Sequence, residues 1–239
     1  LYTIVGTPGQ STVALAVSIT ISLLSASAYV RSFSRNANLI YGRMEGRPIH
    51  ITWLTMWLIT LVLVIGGVVI LLGALLTESI VTAVLGPIAE PLQLQDALNY
   101  LTKIFLPVWV HARGPVIALV AIALVSVLYY FAPNVRPGKF RLLTLGSSAA
   151  LVVITVIWVL FGWYLSAIGI TSPYGAFGTV IAVLGLVWVM NIVLLEGVKI
   201  DAEVLRAKEL QLGWDSARRI QSPPVSYTHL RAHETGRNL

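Results

Sequence analysis

The chain has 239 residues, of which 57% are hydrophobic and 11% charged, whereas a soluble domain carries about 25% charged residues. Its 16 Lys and Arg against 10 Asp and Glu leave a net charge of +6, and it has no cysteine. That composition excludes disulfides, thiolate nucleophiles and cysteine-held iron–sulfur clusters, and leaves too little polar surface for a water-soluble fold.

In chain order, four stretches lack Asp, Glu, Lys and Arg: Leu1 to Val30, Pro48 to Thr77, Gly114 to Val135 and Leu142 to Leu195, of 30, 30, 22 and 54 residues. About 20 apolar residues cross the hydrocarbon core as a helix, so each of the first three holds one crossing. The fourth holds two, separated at "AIGITSPYG", where Gly169, Pro173 and Gly175 punctuate the chain. Continuous apolar runs point to helices, which satisfy their own backbone in lipid, rather than to the alternating strands of a barrel. The expected fold class is all-α, a polytopic transmembrane helical bundle with spans at about 12–30, 52–76, 115–131, 143–165 and 174–195.

Lys and Arg in the loops orient such a bundle. Loop 31–47 carries Arg31, Arg35, Arg43 and Arg47 against Glu45, and loop 134–141 carries Arg136, Lys139 and Arg141. Lys199, Arg206, Lys208, Arg218 and Arg219 follow the last span. The intervening loops are poor in cations, so loops 31–47 and 134–141 and the C-terminus are expected in the cytoplasm. Leu1 then falls outside, and with no start Met the chain is expected to lack an upstream span, five of six being present. Residues 1–207 form the expected membrane domain and 208–224 a cytoplasmic segment. The run "VSYTHLRAHETGRNL", 225–239, resembles translated sequencing-adapter DNA and is set aside as a non-native tail. His229 and His233 within it are four apart, but "HLRAH" lacks the glutamate of a helical zinc site.

Polar residues at membrane depth are costly and functional by default, which makes Asn191 and Glu196 of the last span the candidate substrate-path residues. The alternative for Glu196 is an interfacial pair with Lys199. The four arginines of loop 31–47 read as topology determinants, with contacts to anionic lipid or substrate as the other reading. Trp53, Trp57, Trp109, Tyr129, Tyr130, Trp163 and Tyr164 fall near span ends, as an aromatic belt does. Ala14, Ser18, Ser22 and Ala26 recur every four residues, which suits close packing inside the bundle or a homo-oligomer contact. "PLQLQDALNYLTKIF", 91–105, is amphipathic and is expected along the outer membrane surface or capping the bundle. His111 is assigned to a loop, without a role.

Val127 to Glu203 resembles the C-terminal half of the YihY/BrkB family, bacterial inner-membrane proteins once labelled ribonuclease BN. The likeness rests on Tyr129-Tyr130, Pro133-Asn134, Phe140-Arg141, Tyr164, Tyr174-Gly175, Gly178, Trp188, Asn191, Gly197 and Asp201-Ala202-Glu203. Upstream, Asn38, Tyr41 and Gly42 stand in register with the family's basic loop. The likeness covers about Thr12 to Ala207 and implies a six-helix membrane fold. One departure is that Lys199 occupies a position where the family has an acid, and Glu196 appears earlier.

The chain has no GxxxxGK[ST] loop for ATP and no cluster of His and carboxylates for a metal. Its cations are spread over loops, unlike a nucleic-acid footprint. No cofactor, metal, nucleic-acid partner or enzymatic activity, ribonuclease included, is expected. The expected partner is the lipid bilayer. The expected function is a secondary transporter or permease-like protein for an unassigned small molecule, with a non-transporting envelope-assembly or resistance protein as the alternative.

Overall fold

The computed structural model describes residues 8–89, 91–135, 140–168, 173–217 and 220–225. The histidines of the expected tail, the cations Arg136, Lys139, Arg218 and Arg219, and Gly169 lie outside the described residues. All regular structure among the described residues is helical: α1 (Pro8–Ile40), α2 (Ile49–Leu75), α3 (Glu78–Ala89), α4 (Gln95–Tyr100), a π-helical turn (Leu101–Phe105), α5 (Leu106–Phe131), α6 (Leu145–Ile168) and α7 (Pro173–Gln211). Five helical runs are long and apolar enough to cross a membrane: Thr12–Ile40, Ile49–Leu75, Gln95–Phe131, Leu145–Ala167 and Phe177–Gln211. The all-α, five-span reading holds.

Helix ends differ from the expected spans where hydropathy and helicity part company. α1 runs ten residues past Val30, through Arg31 and Arg35, and α7 runs on through Glu196 to Gln211. At 1.5 Å per residue, the 39 residues of α7 span about 58 Å, nearly twice the hydrocarbon core. The amphipathic run 91–105 is not a separate surface helix. From Gln95 it continues into α5 as one helical run, so His111 and Arg113 are helical and the loop assigned to His111 is corrected. A wide turn, in which the Leu106 N–H reaches back to the Leu101 carbonyl, precedes Pro107. Proline has no N–H to donate four residues back, and an i→i−5 turn accommodates that loss without ending the helix.

The chain packs as two compact units, Leu61–Val125 and the pair of segments Leu1–Thr60 and Ser126–Leu239. In the first, Gly66 lies against Leu124, leaving no room for a Cβ, and a Cβ on Gly73 would stand 3.2 Å from the Trp109 ring. Trp109 Nε1 donates to the Gly73 carbonyl at 3.1 Å, and Phe105 stacks on the same indole. Trp109 is therefore a packing residue.

In the second unit, Ser27, Val30, Ser34, Ala37 and Tyr41 are buried along α1 and its exit. Their spacing of three and four residues is one helical face. Ala14, Ser18 and Ser22 are exposed, so the small-residue stripe does not pack inside the chain as the internal-packing reading expected. The inward face lies lower on α1 and carries hydroxyls instead.

Candidate functional site

Two glycines bring α6 and α7 into backbone contact. A Cβ on Gly146 would overlap the Gly197 carbonyl oxygen, and one on Gly197 would meet Gly146 O at 2.7 Å and the Ala150 Cβ at 2.9 Å. Asp201 follows one turn after Gly197. Its carboxylate accepts from the Gly146 N–H at 2.8 Å and from the Thr144 hydroxyl at 2.5 Å. Thr144 and Ser147 complete a reciprocal cap: the Thr144 N–H donates to Ser147 Oγ at 2.8 Å, and the Ser147 N–H to Thr144 Oγ1 at 3.1 Å. The start of α6 is thus capped partly by its own residues and partly by an acid of α7. A carboxylate there meets the positive end of the helix dipole. From α5, the Tyr129 hydroxyl donates to the Leu194 carbonyl of α7.

Beside this contact lies a cavity of about 820 Å³, lined by Tyr41, Ser126, Tyr129, Tyr130, Arg141, Thr144, Ser147, Ser148, Asp201 and Lys208 with apolar Leu143, Leu145, Val204 and Leu205. Small-molecule sites span roughly 300–1,000 Å³. Asp201 is the only carboxylate among these lining residues, and both its oxygens are engaged. Arg141 and Lys208 are exposed and have no ion-pair partner among the described residues. Tyr41 is 6% exposed. Burial and then the charge of Asp201 push its phenol above the usual tyrosine range, so it stays a neutral donor.

A second polar cluster closes the same unit. Arg47 makes a two-pronged pair with Glu45, Nε to Oε1 at 2.7 Å and Nη2 to Oε2 at 2.8 Å. It also donates to the carbonyls of Phe131 at 3.3 Å and Ala132 at 2.9 Å, where a cation meets the negative end of α5. Asn38 donates to Glu45 at 3.1 Å and accepts from the Asn134 N–H at 2.6 Å. Burial works to raise the Glu45 carboxyl, but the hydrogen bonds and charge of Arg47 and the bond from Asn38 outweigh it and hold the group below the usual range.

The C-terminal segment is tied down by a third cluster. Glu209, 2% exposed, accepts from Ser216 Oγ, the Gln221 N–H and both donors of Ser222 at 2.5 to 2.7 Å. Arg43 donates to the Ile220 and Ser222 carbonyls.

Asn191 and Glu196 fall outside the cavity lining. Asn191 Oδ1 accepts from the Tyr29 hydroxyl, and its amide donates to Val187 O at 2.9 Å. Glu196 pairs with Lys199 at 3.5 Å, both side chains being about 60% exposed. Of the four arginines read as topology determinants, Arg31 bonds Ser27 and stands 4.4 Å over the Trp53 ring, while Arg43 and Arg47 cross-link loops. Arg35 alone has no hydrogen bond or ion pair among the described residues. Tyr129, read as belt, is 8% exposed and bonded between helices. The residues missed as a site are Tyr41, Tyr129, Thr144 and Asp201. Tyr41, Tyr129, Gly197 and Asp201 all stood among the residues carrying the family likeness, and that shared membership was the available signal.

Comparison with known proteins agrees with that likeness. The family model described as virulence factor BrkB matches residues 3–220. The ribonuclease-like protein YfkH of Bacillus subtilis (strain 168) is 27% identical over 199 residues, covering 82% of this chain and 67% of its own length. No solved structure matches the chain.

Proposed function

The chain belongs to the virulence factor BrkB family, and from that premise we propose a multi-pass membrane protein of secondary-transporter or permease type, which handles a small solute at the cavity beside Asp201. The observation that carries this reading is the cavity itself, of about 820 Å³. Its lining combines charged and hydroxyl residues with leucines and a valine, and it sits where three apolar helices meet their loops. A purely structural contact between α6 and α7 needs the glycines and Asp201, but not an open chamber with two unpaired cations on its wall.

We put the protein in the bacterial inner membrane, with loops 31–47 and 134–141 and the C-terminus in the cytoplasm; the alternation of cation-rich and cation-poor loops supports this. Asn191 and Glu196 remain proposed path residues for the section within the last span. A second reading, a non-transporting envelope-assembly or resistance protein, is favoured by the family's description as a virulence factor. Ribonuclease chemistry stays outside the proposal. The name of the Bacillus relative is the one observation that raises it, and tRNA left intact by the pure protein with added divalent metal is the expected result.

Reconstitution in liposomes tests the transport reading. Saturable uptake of at least one member of a panel of ions, organic acids, lipids and drugs is expected, with Asp201→Ala lowering it at least tenfold. No uptake by folded, uniformly oriented protein would move the function to the envelope-assembly reading. Because the chain lacks cysteine, a single Arg35→Cys variant checks orientation. Labelling only from the cytoplasmic face is expected.

A further inference from the structure

We propose that the cavity beside Asp201 binds a phosphate-type anion carried on an apolar body, the chemistry of an anionic phospholipid headgroup, with inorganic phosphate as its minimal ligand. The inference deepens the transport reading of the same site by naming the class of solute. It rests on that reading for the solute's passage, not for its binding.

Charge carries the first step. Arg141, Lys208 and Asp201 are the charged lining residues. Asp201 is spent internally, since its oxygens take the Gly146 N–H and the Thr144 hydroxyl and its charge faces the N-terminus of α6. The two cations have no such partner among the described residues, so the field inside the chamber is positive and favours an anion.

Hydrogen bonding carries the second. Tyr41 lines the chamber, is buried, and its hydroxyl has no hydrogen-bond partner among the described residues. The hydroxyl oxygen itself is not sealed off, so it stands open as a donor for whatever enters the chamber. Its donor stays protonated for the reason given above, so what the site lacks is an acceptor.

Shape decides the class of anion. The three donors come from three elements: Tyr41 from the exit of α1, Arg141 from the lead-in to α6 and Lys208 from α7. A carboxylate presents its oxygens in one plane. A phosphate presents oxygens in several directions and accepts from donors that approach from different sides. The rest of the wall mixes the hydroxyl residues Ser126, Thr144, Ser147 and Ser148 with Leu143, Leu145, Val204, Leu205 and the rings of Tyr129 and Tyr130. The apolar members give inorganic phosphate nothing but give an acyl chain a place to lie, and about 820 Å³ is far more than phosphate alone needs.

Calorimetric titration of the full chain in a neutral detergent tests this, with dioctanoyl phosphatidic acid as one probe and inorganic phosphate as the other. Saturable binding of the lipid is expected. Arg141→Gln and Lys208→Gln should each raise its Kd about tenfold, the usual loss for one charge-assisted hydrogen bond. Tyr41→Phe should raise it about threefold to tenfold while leaving the fold intact, because it removes one oxygen that has no hydrogen-bond partner among the described residues. Arg35→Gln makes the same charge change on an exposed residue outside the cavity and should leave Kd unchanged. Displacement of the lipid by millimolar phosphate would support a site that reads the head alone. Lipid binding that millimolar phosphate does not displace overturns inorganic phosphate as the minimal ligand. No saturable lipid binding overturns the inference. So does an Arg35→Gln loss as large as that of Arg141→Gln, which would mean diffuse attraction to a basic surface. Lipid binding without flux of any solute would leave this inference standing and remove the transport reading; flux of a solute with no phosphate-type binding would do the reverse.

Discussion

The two packing units are held by different chemistry. In Leu61–Val125 the contacts are small residue against large, Gly66 under Leu124 and Gly73 under Trp109, with an indole N–H to a backbone carbonyl at 3.1 Å. In the other unit, side chains reach across loops and bind the ends of helices: Arg47 on the C-terminal carbonyls of α5, Asp201 on the first N–H groups of α6, Glu209 on the C-terminal segment. Helix ends leave backbone groups without intrahelical partners, and each end has a partial charge. Along the spans lipid asks only for apolar surface. At the ends the exposed N–H and C=O groups must be met, and these charged groups meet them. The cavity beside Asp201 lies among the second kind of contact, where polar groups already have a structural reason to gather.

If that division is right, the largest loss comes from cutting the Arg47 lock. Its side chain is 4% exposed and Glu45 is its ion-pair partner, so Arg47→Met leaves Glu45 and two helix-end carbonyls without their donor. Removing one partner of a fully buried pair costs about 3–5 kcal/mol, but Glu45 is 27% exposed and keeps its bond from Asn38, so a loss of about 2–3 kcal/mol is expected. A thermal melt of the purified protein in detergent should show a loss of that size, and a loss below about 1 kcal/mol would mean that the pair is solvated and the division wrong. Next is Gly197→Val. The added methyls have no space against Gly146, Ala150 and the Tyr129 hydroxyl, and overpacking costs about 1–3 kcal/mol. The same change at Gly67, where nothing lies near, should cost less than half as much.

The spans were legible in the sequence because lipid tolerates little else. Thirty residues without a charge can hardly be anything but a crossing helix, and five crossings follow from counting. The helix ends were not legible by the same rule. Hydropathy marks where the uncharged run stops, while α1 and α7 continue past it on ordinary helix-forming residues such as Arg35, Glu203 and Lys208. The site was hidden by distance along the chain. Asp201 meets Gly146 and Thr144 across 55 and 57 residues, and Arg47 meets Ala132 across 85. Reading by membrane depth selected Asn191 and Glu196, because it scores the cost of a polar group in lipid and is blind to a polar group at a helix end. The likeness to a family had already gathered Tyr41, Tyr129, Gly197 and Asp201, although as markers of kinship rather than as neighbours.

Asp201→Asn sharpens the comparison at a smaller scale. The amide keeps one acceptor oxygen for Thr144 or Gly146, but loses the charge that faces the start of α6. Together these should cost about 1–2 kcal/mol, with Asp201→Ala costing more. Trp109→Phe in the other unit deletes the bond to the Gly73 carbonyl and also the part of the indole, Cζ2 and Cη2, that packs over Gly73. An interhelical hydrogen bond in lipid averages about 0.6 kcal/mol and the missing ring volume adds a cavity cost, so a loss of about 1–2 kcal/mol in the melt is expected. A loss no larger than the hydrogen bond alone would mean that the indole's packing does not hold Leu61–Val125.

Acid provides the gentlest way to tell the two units apart. The Glu45 carboxyl is held below the usual range in the folded protein, while an unfolded glutamate titrates near about 4.3. A group whose folded pKa is depressed adds stability that is fully present above the unfolded pKa and is lost as pH falls through the folded one. Stability should therefore be level from neutral pH down to about 5 and decline below about 4. Protonated Glu45 can still accept one bond from Arg47, and Arg47 keeps the Phe131 and Ala132 carbonyls, so the decline should be smaller than for Arg47→Met. Glu45→Gln should flatten this part of the profile. Hydrogen exchange read region by region makes the comparison direct. Amides of residues 43–47 and 132–135 should lose protection in acid before those around Gly73, because the contacts of Gly66 and Gly73 contain no carboxylate. Equal loss in both regions would place the acid-sensitive group elsewhere and take from Glu45 its part in the lock.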